Sequence, residues 1–378
     1  AEHVFVAGHG GCSDGGDALR RAALAGSPAL RWTAFDCPLR PPLPNVEAVL
    51  FKDDEAGFLA GVVACTVRME AAEAAGAAAG EELGVAAVAG QATPSAKARV
   101  NGFTHGCLMV CPSCAVRADF GVSPLDAPQR ALLLLQRASG PGAKVLFGAG
   151  GDLTDGALRA AASRGHFVVG SDGDAFVSAF RSGSVDGAER VLTSALKRLD
   201  VATRLSLADG LTDSFRGRNY VLGLAEDAVG LASCNRACDA FHRRLQALVG
   251  QVSSALVRGD TSTGVDTLTG DARPGFDPTA GGAAGEGSSG RACEPAGGSG
   301  GIPTGAFIGS LVAVGVGMLA LGACSALAWT RTRRPGGMPP PQKYFDMDEE
   351  TAEGGASAAT PAVGAPAADV EQTAGPAL

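Results

Sequence analysis

The chain has 378 residues, 46% of them hydrophobic, and a net charge of −8. That length allows two or three domains with ample core. The acidic balance, with only two Trp and two Tyr and no basic stripe, argues against phosphate-led binding of nucleic acid.

HVFVAGHGG, from His3, reads as a strand ending in a loop, and GGDALRRAALAG as a helix with an apolar face and Pro28 just past it. Residues 30–36 and 46–51 read as short strands separated by the Pro-rich DCPLRPPLPN. In EAGFLAGVVACTVRMEAAEAAG, a helix, Phe58, Leu59, Val62, Val63 and Val67 can share one face. The strands VAAVAG, CAVRADF, KVLFGAG and HFVVGS then alternate with the helices SAKARVNGFTHGCL, PQRALLLLQRASG and TDGALRAAASRG. Such alternation predicts a parallel sheet covered by helices on both faces. The chain is expected to return to the first lobe near Val191. In VLTSALKRLDVA, Thr193 and Ser194 are expected to cap a helix that carries Lys197. DAFHRRLQALVGQVSSALVRGD reads as the last helix of an α/β domain ending near residue 260.

The segment from Ala143 to Ala202 is the most informative. Its apolar strand-length runs end in Gly- and Asp-rich loops, and ligands on parallel sheets bind at such carboxyl ends. Gly148, Gly150, Gly151, Asp172 and Asp174 sit there, which predicts a polar-ligand cleft. GAGGDLTDG alone is a weak signal. It has neither the Lys-Ser/Thr of a P-loop nor the order of a dinucleotide motif.

Ten cysteines are many for a cytosolic α/β chain. The clusters CLMVCPSC and SCNRAC predict disulfides among Cys107, Cys111, Cys114, Cys234 and Cys238 in an oxidising space. Free buried thiols, a zinc site from Cys111, Cys114, Cys234 and Cys238, and a redox CxxC are the competing readings. The five histidines (His3, His9, His105, His166, His242) are scattered. No HExxH and no Ser-His-Asp or Cys-His grouping stands out, so no enzyme, metal or cofactor is predicted.

From 261 to 301 the chain turns to Gly, Ser, Thr, Ala and Pro and reads as a disordered stalk. Residues 302–330 then read as one transmembrane helix. No charge occurs from Pro295 through Thr330, and about 20 helical residues cross a bilayer core. Arg331, Arg333 and Arg334 place the C-terminus in the cytoplasm and the lobes outside. The acidic tail, 331–378, reads as disordered; its Pro run or Tyr344 could dock a cytoplasmic signalling partner.

FKDDEAGFLAGVVA, VAAVAGQATPSAKARVNGFTHG, KVLFGAGG, HFVVGSDGD, VLTSALKRLDVA and YVLGLAEDAVGLA occur in one order at fitting intervals. Together, over about residues 1–265, they resemble the basic membrane protein family, the PnrA-like substrate-binding proteins of purine nucleoside uptake. The resemblance implies a two-lobed periplasmic-binding-protein fold of type I with a nucleoside in the cleft, and a separate transporter as partner. It assigns Asp172 to the ribose diol, Asp174 to a turn or a reserve ligand role, Lys197 to the cleft, and Gly150 and Gly151 to close backbone approach. The chain opens at what looks like the family's second strand, so an N-terminal strand-helix unit is expected to be missing. Ala157 and Leu158 stand where some relatives have an aromatic, which weakens the case for base stacking. Phe58 and Phe103 read as core. A structural or adhesion ectodomain that kept the fold and lost the ligand is the alternative.

Overall fold

The computed structural model describes residues 3–6, 16–212, 214–234, 237 and 242–279. The stretches read as the rest of the stalk, the membrane span and the tail lie outside the described residues, as do His9 and Cys238. Among the described residues no helix is long and apolar enough to cross a membrane.

In chain order the elements are β1 (His3–Val6), α1 (Asp17–Ala25), β2 (Arg31–Phe35), β3 (Val46–Phe51), α2 (Asp53–Ala74), β4 (Leu83–Val88), α3 (Pro94–Val110), β5 (Cys114–Asp119) and α4 (Ala127–Arg137). Then come β6 (Val145–Gly148), α5 (Asp155–Ala162), β7 (Phe167–Asp172), β8 (Val191–Lys197), α6 (Leu199–Leu211), β9 (Arg218–Leu222), β10 (Val229–Leu231) and α7 (His242–Arg258). They form two sheets. One has the order β1-β2-β3-β9 and the other β10-β8-β7-β6-β4-β5. All pairs are parallel except β10 against β8, an antiparallel edge on an otherwise parallel sheet.

The inner strands β3 and β4 are buried throughout because helices cover both faces of their sheets. Val46–Phe51 and Leu83–Val88 are buried at every position. The second sheet has Val85, Ala87 and Phe147 on one side, in the core with α2 and α3, and Ala86, Val88 and Leu146 on the other, with α4 and α5.

Helix α2 is buried all round rather than along the single stripe expected. Phe58, Leu59 and Val62 meet Val252 and Leu256 of α7, while Ala60, Val63 and Val67 belong to the sheet-side core. Its crossing with α3 is backbone against backbone. A Cβ on Gly57 would lie 2.2 Å from the Arg99 carbonyl oxygen, and one on Gly61 2.0 Å from that of Phe103. Reciprocally, a Cβ on Gly102 would lie 2.2 Å from the Asp54 carbonyl oxygen and one on Gly106 2.0 Å from that of Phe58. Small residues spaced by four on both helices are what such close approach requires.

Three expectations are corrected. VLTSALK is a strand, not the cap and start of a helix. Thr193 Oγ1 donates to the Ala232 carbonyl at 2.7 Å, and Ser194 Oγ accepts from the Ala175 N–H at 2.9 Å. The chain therefore returns to the first sheet after Lys197, through α6, and not near Val191. Residues 261–279 are not stalk: Asn101 Nδ2 donates to the Gly270 carbonyl at 2.7 Å, His105 Nδ1 lies 2.7 Å from the Thr263 carbonyl, and Val265 bridges Ala272. Few large apolar residues are needed there because α3 supplies the surface. Finally, Cys111 pairs with Cys114 within the five cysteines expected, but Cys107 pairs with Cys65, outside them. Cys37 and Cys234 are also disulfide-bonded. Cys65 had no nearby cysteine in sequence to mark it; the α2–α3 crossing brings it to Cys107.

Candidate functional site

Chain crossings between the sheets follow β3, β8 and β9, and five charged residues collect beside the first two. Asp53 opens α2, Arg99 lies one turn into α3, Asp36 follows β2, and Asp172 and Lys197 end β7 and β8. Arg99 Nη2 bonds Asp53 Oδ1 at 2.8 Å and Asp172 Oδ1 at 2.6 Å, while its Nη1 reaches Asp172 Oδ2 at 3.1 Å. Lys197 Nζ lies 2.7 Å from Asp36 Oδ2, 2.8 Å from Asp53 Oδ2 and 3.0 Å from Ser95 Oγ. Its ammonium also stands 5.1 Å from the centre of the Phe51 ring. Asp53 thus ties the two cations together.

Burial alone would neutralise these groups; pairing keeps them charged. Desolvation pushes Asp53 up, but the Lys197 ammonium and the Arg99 guanidinium outweigh it and hold the carboxyl below its usual range. Desolvation likewise pulls Lys197 and Arg99 down, and their carboxylate neighbours more than restore them. At Asp36 desolvation wins over Lys197, and the carboxyl sits above its ordinary value.

The side chain of Asp172 is 42% exposed, against 2% for Asp53 and 8% for Lys197. It faces a cleft of about 400 Å³ lined by Asp172, Gly173, Lys197, Leu199 and Asp200. That volume is within the range of small-molecule sites. Asp36 (φ 56°) and Asp172 (φ 65°) both hold left-handed backbone at the ends of their strands, one on each sheet. Non-glycine residues adopt this region at a cost, and such strain clusters at ligand sites.

Of the other sequence candidates, Gly151 lies against the cluster, and Gly150 and Asp174 make local turn bonds. The Gly151 N–H already donates to Ser171 Oγ at 3.0 Å, and with φ 53° Gly151 lets the loop lie against Asp172, where a Cβ would meet Oδ2 at 2.8 Å. The Gly150 carbonyl accepts from the Leu153 N–H in the same turn. Asp174 forms a turn, its Oδ1 accepting from the Phe176 N–H at 3.0 Å. Ala157 and Leu158 are core, and so are Phe58 and Phe103, the latter stacked on Phe147. Sequence reasoning missed Arg99, Asp53 and Asp36. Asp36 at a strand end was the one recoverable signal.

Residues 28–251, more than half of the chain, match the family described as ABC transporter substrate-binding protein PnrA-like. Among solved structures, the fold is similar to a solute-binding protein of an ABC transporter system from Aeropyrum pernix K1, with a TM-score of 0.52 and 22% identity over 65% of this chain and 73% of that one. It is also similar to a transcriptional activator of the comK gene from Bacillus halodurans, with a TM-score of 0.53 and 16% identity over 69% of this chain and 80% of that one. At those identities the two structures speak for the two-sheet fold alone. The family match covers every strand but β1 and every residue of the charged cluster, and the chain belongs to the PnrA-like family of ABC transporter substrate-binding proteins.

Proposed function

We propose that the cleft binds a nucleoside, with Asp172 accepting from the ribose diol, for uptake or sensing at a cell surface. A substrate-binding protein of ABC-transporter type binds a small molecule and works with a transporter. The assignment to a nucleoside rests on one observation. Of the three carboxylates in the cluster, Asp172 has the most exposed side chain, and its carboxylate is already oriented by two bonds from Arg99. A carboxylate has about four lone-pair sites. Arg99 takes two, and two remain for adjacent hydroxyls, each bond charge-assisted.

Lys197 has its ammonium engaged by two carboxylates and a hydroxyl, so among the described lining residues the cleft presents no spare positive charge for a phosphate. A neutral ligand fits that balance. Leu199, 39% exposed, offers an apolar wall for the base. Membrane anchoring through residues 302–330, with the lobes outside and the tail in the cytoplasm, completes the reading and rests on the sequence pattern.

The second reading is a ligand-free adhesion ectodomain. It is favoured by the buried Ala157 and Leu158 and by the occupied Gly151 N–H. Thermal shift of the full chain against a nucleoside panel decides between them. A nucleoside at 100 times its dissociation constant should add about 2.7 kcal/mol of stability. A flat response to every nucleoside, with the protein folded, removes the first reading and leaves the second.

A further inference from the structure

The two disulfides on α3 are neighbours. The sulfurs of Cys65, Cys107 and Cys114 all lie within 4.8 Å of one another, and Cys114 is bonded to Cys111. Cys65 and Cys107 are wholly buried at the α2–α3 crossing. The Cys111–Cys114 bridge instead closes a loop, Cys111-Pro112-Ser113-Cys114, between the end of α3 and the start of β5; Pro112 in it is exposed and Cys114 is 5% exposed. Cys111 is itself buried, but opening the exposed Pro112 turn is enough to uncover Cys114, whereas the Cys65–Cys107 bridge lies between two packed helices.

We propose that the Cys111–Cys114 loop is a thiol–disulfide exchange site that takes a dithiol and passes its two electrons to the Cys65–Cys107 bridge. A thiolate of the dithiol attacks Cys114 Sγ, and Cys111 leaves as thiolate. The second thiol of the reagent attacks its own sulfur in the mixed disulfide, which releases Cys114 as thiolate and the reagent as a cyclic disulfide. Freed from Cys111, Cys114 can rotate about its Cα–Cβ bond and attack Cys107 Sγ, and Cys65 leaves as thiolate. Cys111, one helical turn beyond Cys107, then attacks Cys114 Sγ, re-forms the loop bridge and releases Cys107. The dithiol is oxidised, Cys65 and Cys107 are reduced, and the loop bridge ends as it began. Exchange through a mixed disulfide needs only that the attacking thiolate reach the target sulfur, and burial bars outside thiols from that bridge.

The exchange removes the covalent tie between α2 and α3 and leaves the glycine contacts of their crossing in place. The proposal does not depend on which ligand the cleft takes, because its test reads cysteines. The full chain is treated with dithiothreitol, quenched by alkylation at intervals and mapped by peptide mass spectrometry. Reduction of Cys65–Cys107 should be at least tenfold slower in Cys111→Ser/Cys114→Ser than in the unmodified protein under native conditions, and equal in denaturant. Equal native rates would overturn the relay. The single variant Cys111→Ser gives a second reading, since it leaves Cys114 as a free thiol. At pH 8 without reductant, a Cys107–Cys114 or Cys65–Cys114 peptide should form. An untouched Cys65–Cys107 bridge beside a wholly free Cys114 would equally refute it.

Discussion

The α2–α3 pair is held in two unlike ways along its length. At the cleft end Asp53 and Arg99 are joined by charge, in a site where both are almost wholly desolvated. Farther along, Cys65 and Cys107 are joined covalently among apolar side chains. The first arrangement is costly: each ion must be withdrawn from water, and pairing repays that only when every partner is present. The second carries no desolvation cost and restrains the unfolded chain. The lesson is that the fold can bear an expensive charged cluster at the crossing because glycine contacts and a bridge fix the helices independently of it.

Breaking the charged end should cost the most. Arg99→Ala leaves Asp53 and Asp172 without their guanidinium, and removal of one partner from a buried pair costs about 3–5 kcal/mol. Denaturant unfolding should show that loss, and it should be accompanied by loss of ligand binding. Breaking the covalent end, with Cys65→Ala/Cys107→Ala, should cost less. A bridge across 42 residues stabilises by about 2–4 kcal/mol. The cleft should stay intact, so ligand affinity at a temperature where the variant is folded should change little. Similar damage to affinity from both variants would erase the contrast.

A smaller effect, of opposite sign, sharpens the comparison. Asp54, beside Asp53, is buried without an ion pair among the described residues: desolvation pushes its carboxyl up to about 6, and Thr263 Oγ1–H donates to its Oδ2. Its Oδ1 is buried without a hydrogen-bond partner among the described residues. The folded state therefore holds this proton more tightly than the unfolded chain does. The stabilisation is full below pH 4 and is lost as the pH rises towards 6. Asp54→Asn should raise stability at pH 7 by roughly 1–2 kcal/mol and flatten the pH dependence between 4 and 6. Unfolding curves across that window check the sign; a destabilised Asp54→Asn protein at pH 7 would refute it.

The second sheet was legible because its strands are short apolar runs and its helices carry clear periods, as in KVLFGAGG and PQRALLLLQRASG. Strand-end placement singled out Asp172, and the resemblance singled out Lys197. What stayed hidden was tertiary. Asp53 in KDDE reads as an ordinary acidic helix start, stabilised by the macrodipole. Arg99 in SAKARVNGFTHG reads as a surface cation, and only the glycine crossing reveals that it points inward. VLTSALK has helix-compatible residues, and its burial between β7 and β10 overrides local preference. The Gly- and Thr-rich segment after Arg258 looked unable to fold because its partner surface, α3, lies more than 150 residues away in the chain.

Calorimetric titration of the full chain and of Asp172→Ala with a purine nucleoside and its 2′,3′-dideoxy analogue tests the central claim most directly. Each charge-assisted bond is worth roughly 1.5–3 kcal/mol. Asp172→Ala should therefore weaken the nucleoside at least tenfold. The dideoxy compound should bind the unmodified protein as poorly and lose little more on mutation, because both changes delete the same contact. Unchanged nucleoside affinity in a folded Asp172→Ala protein, or equal affinity for the two compounds, would contradict it.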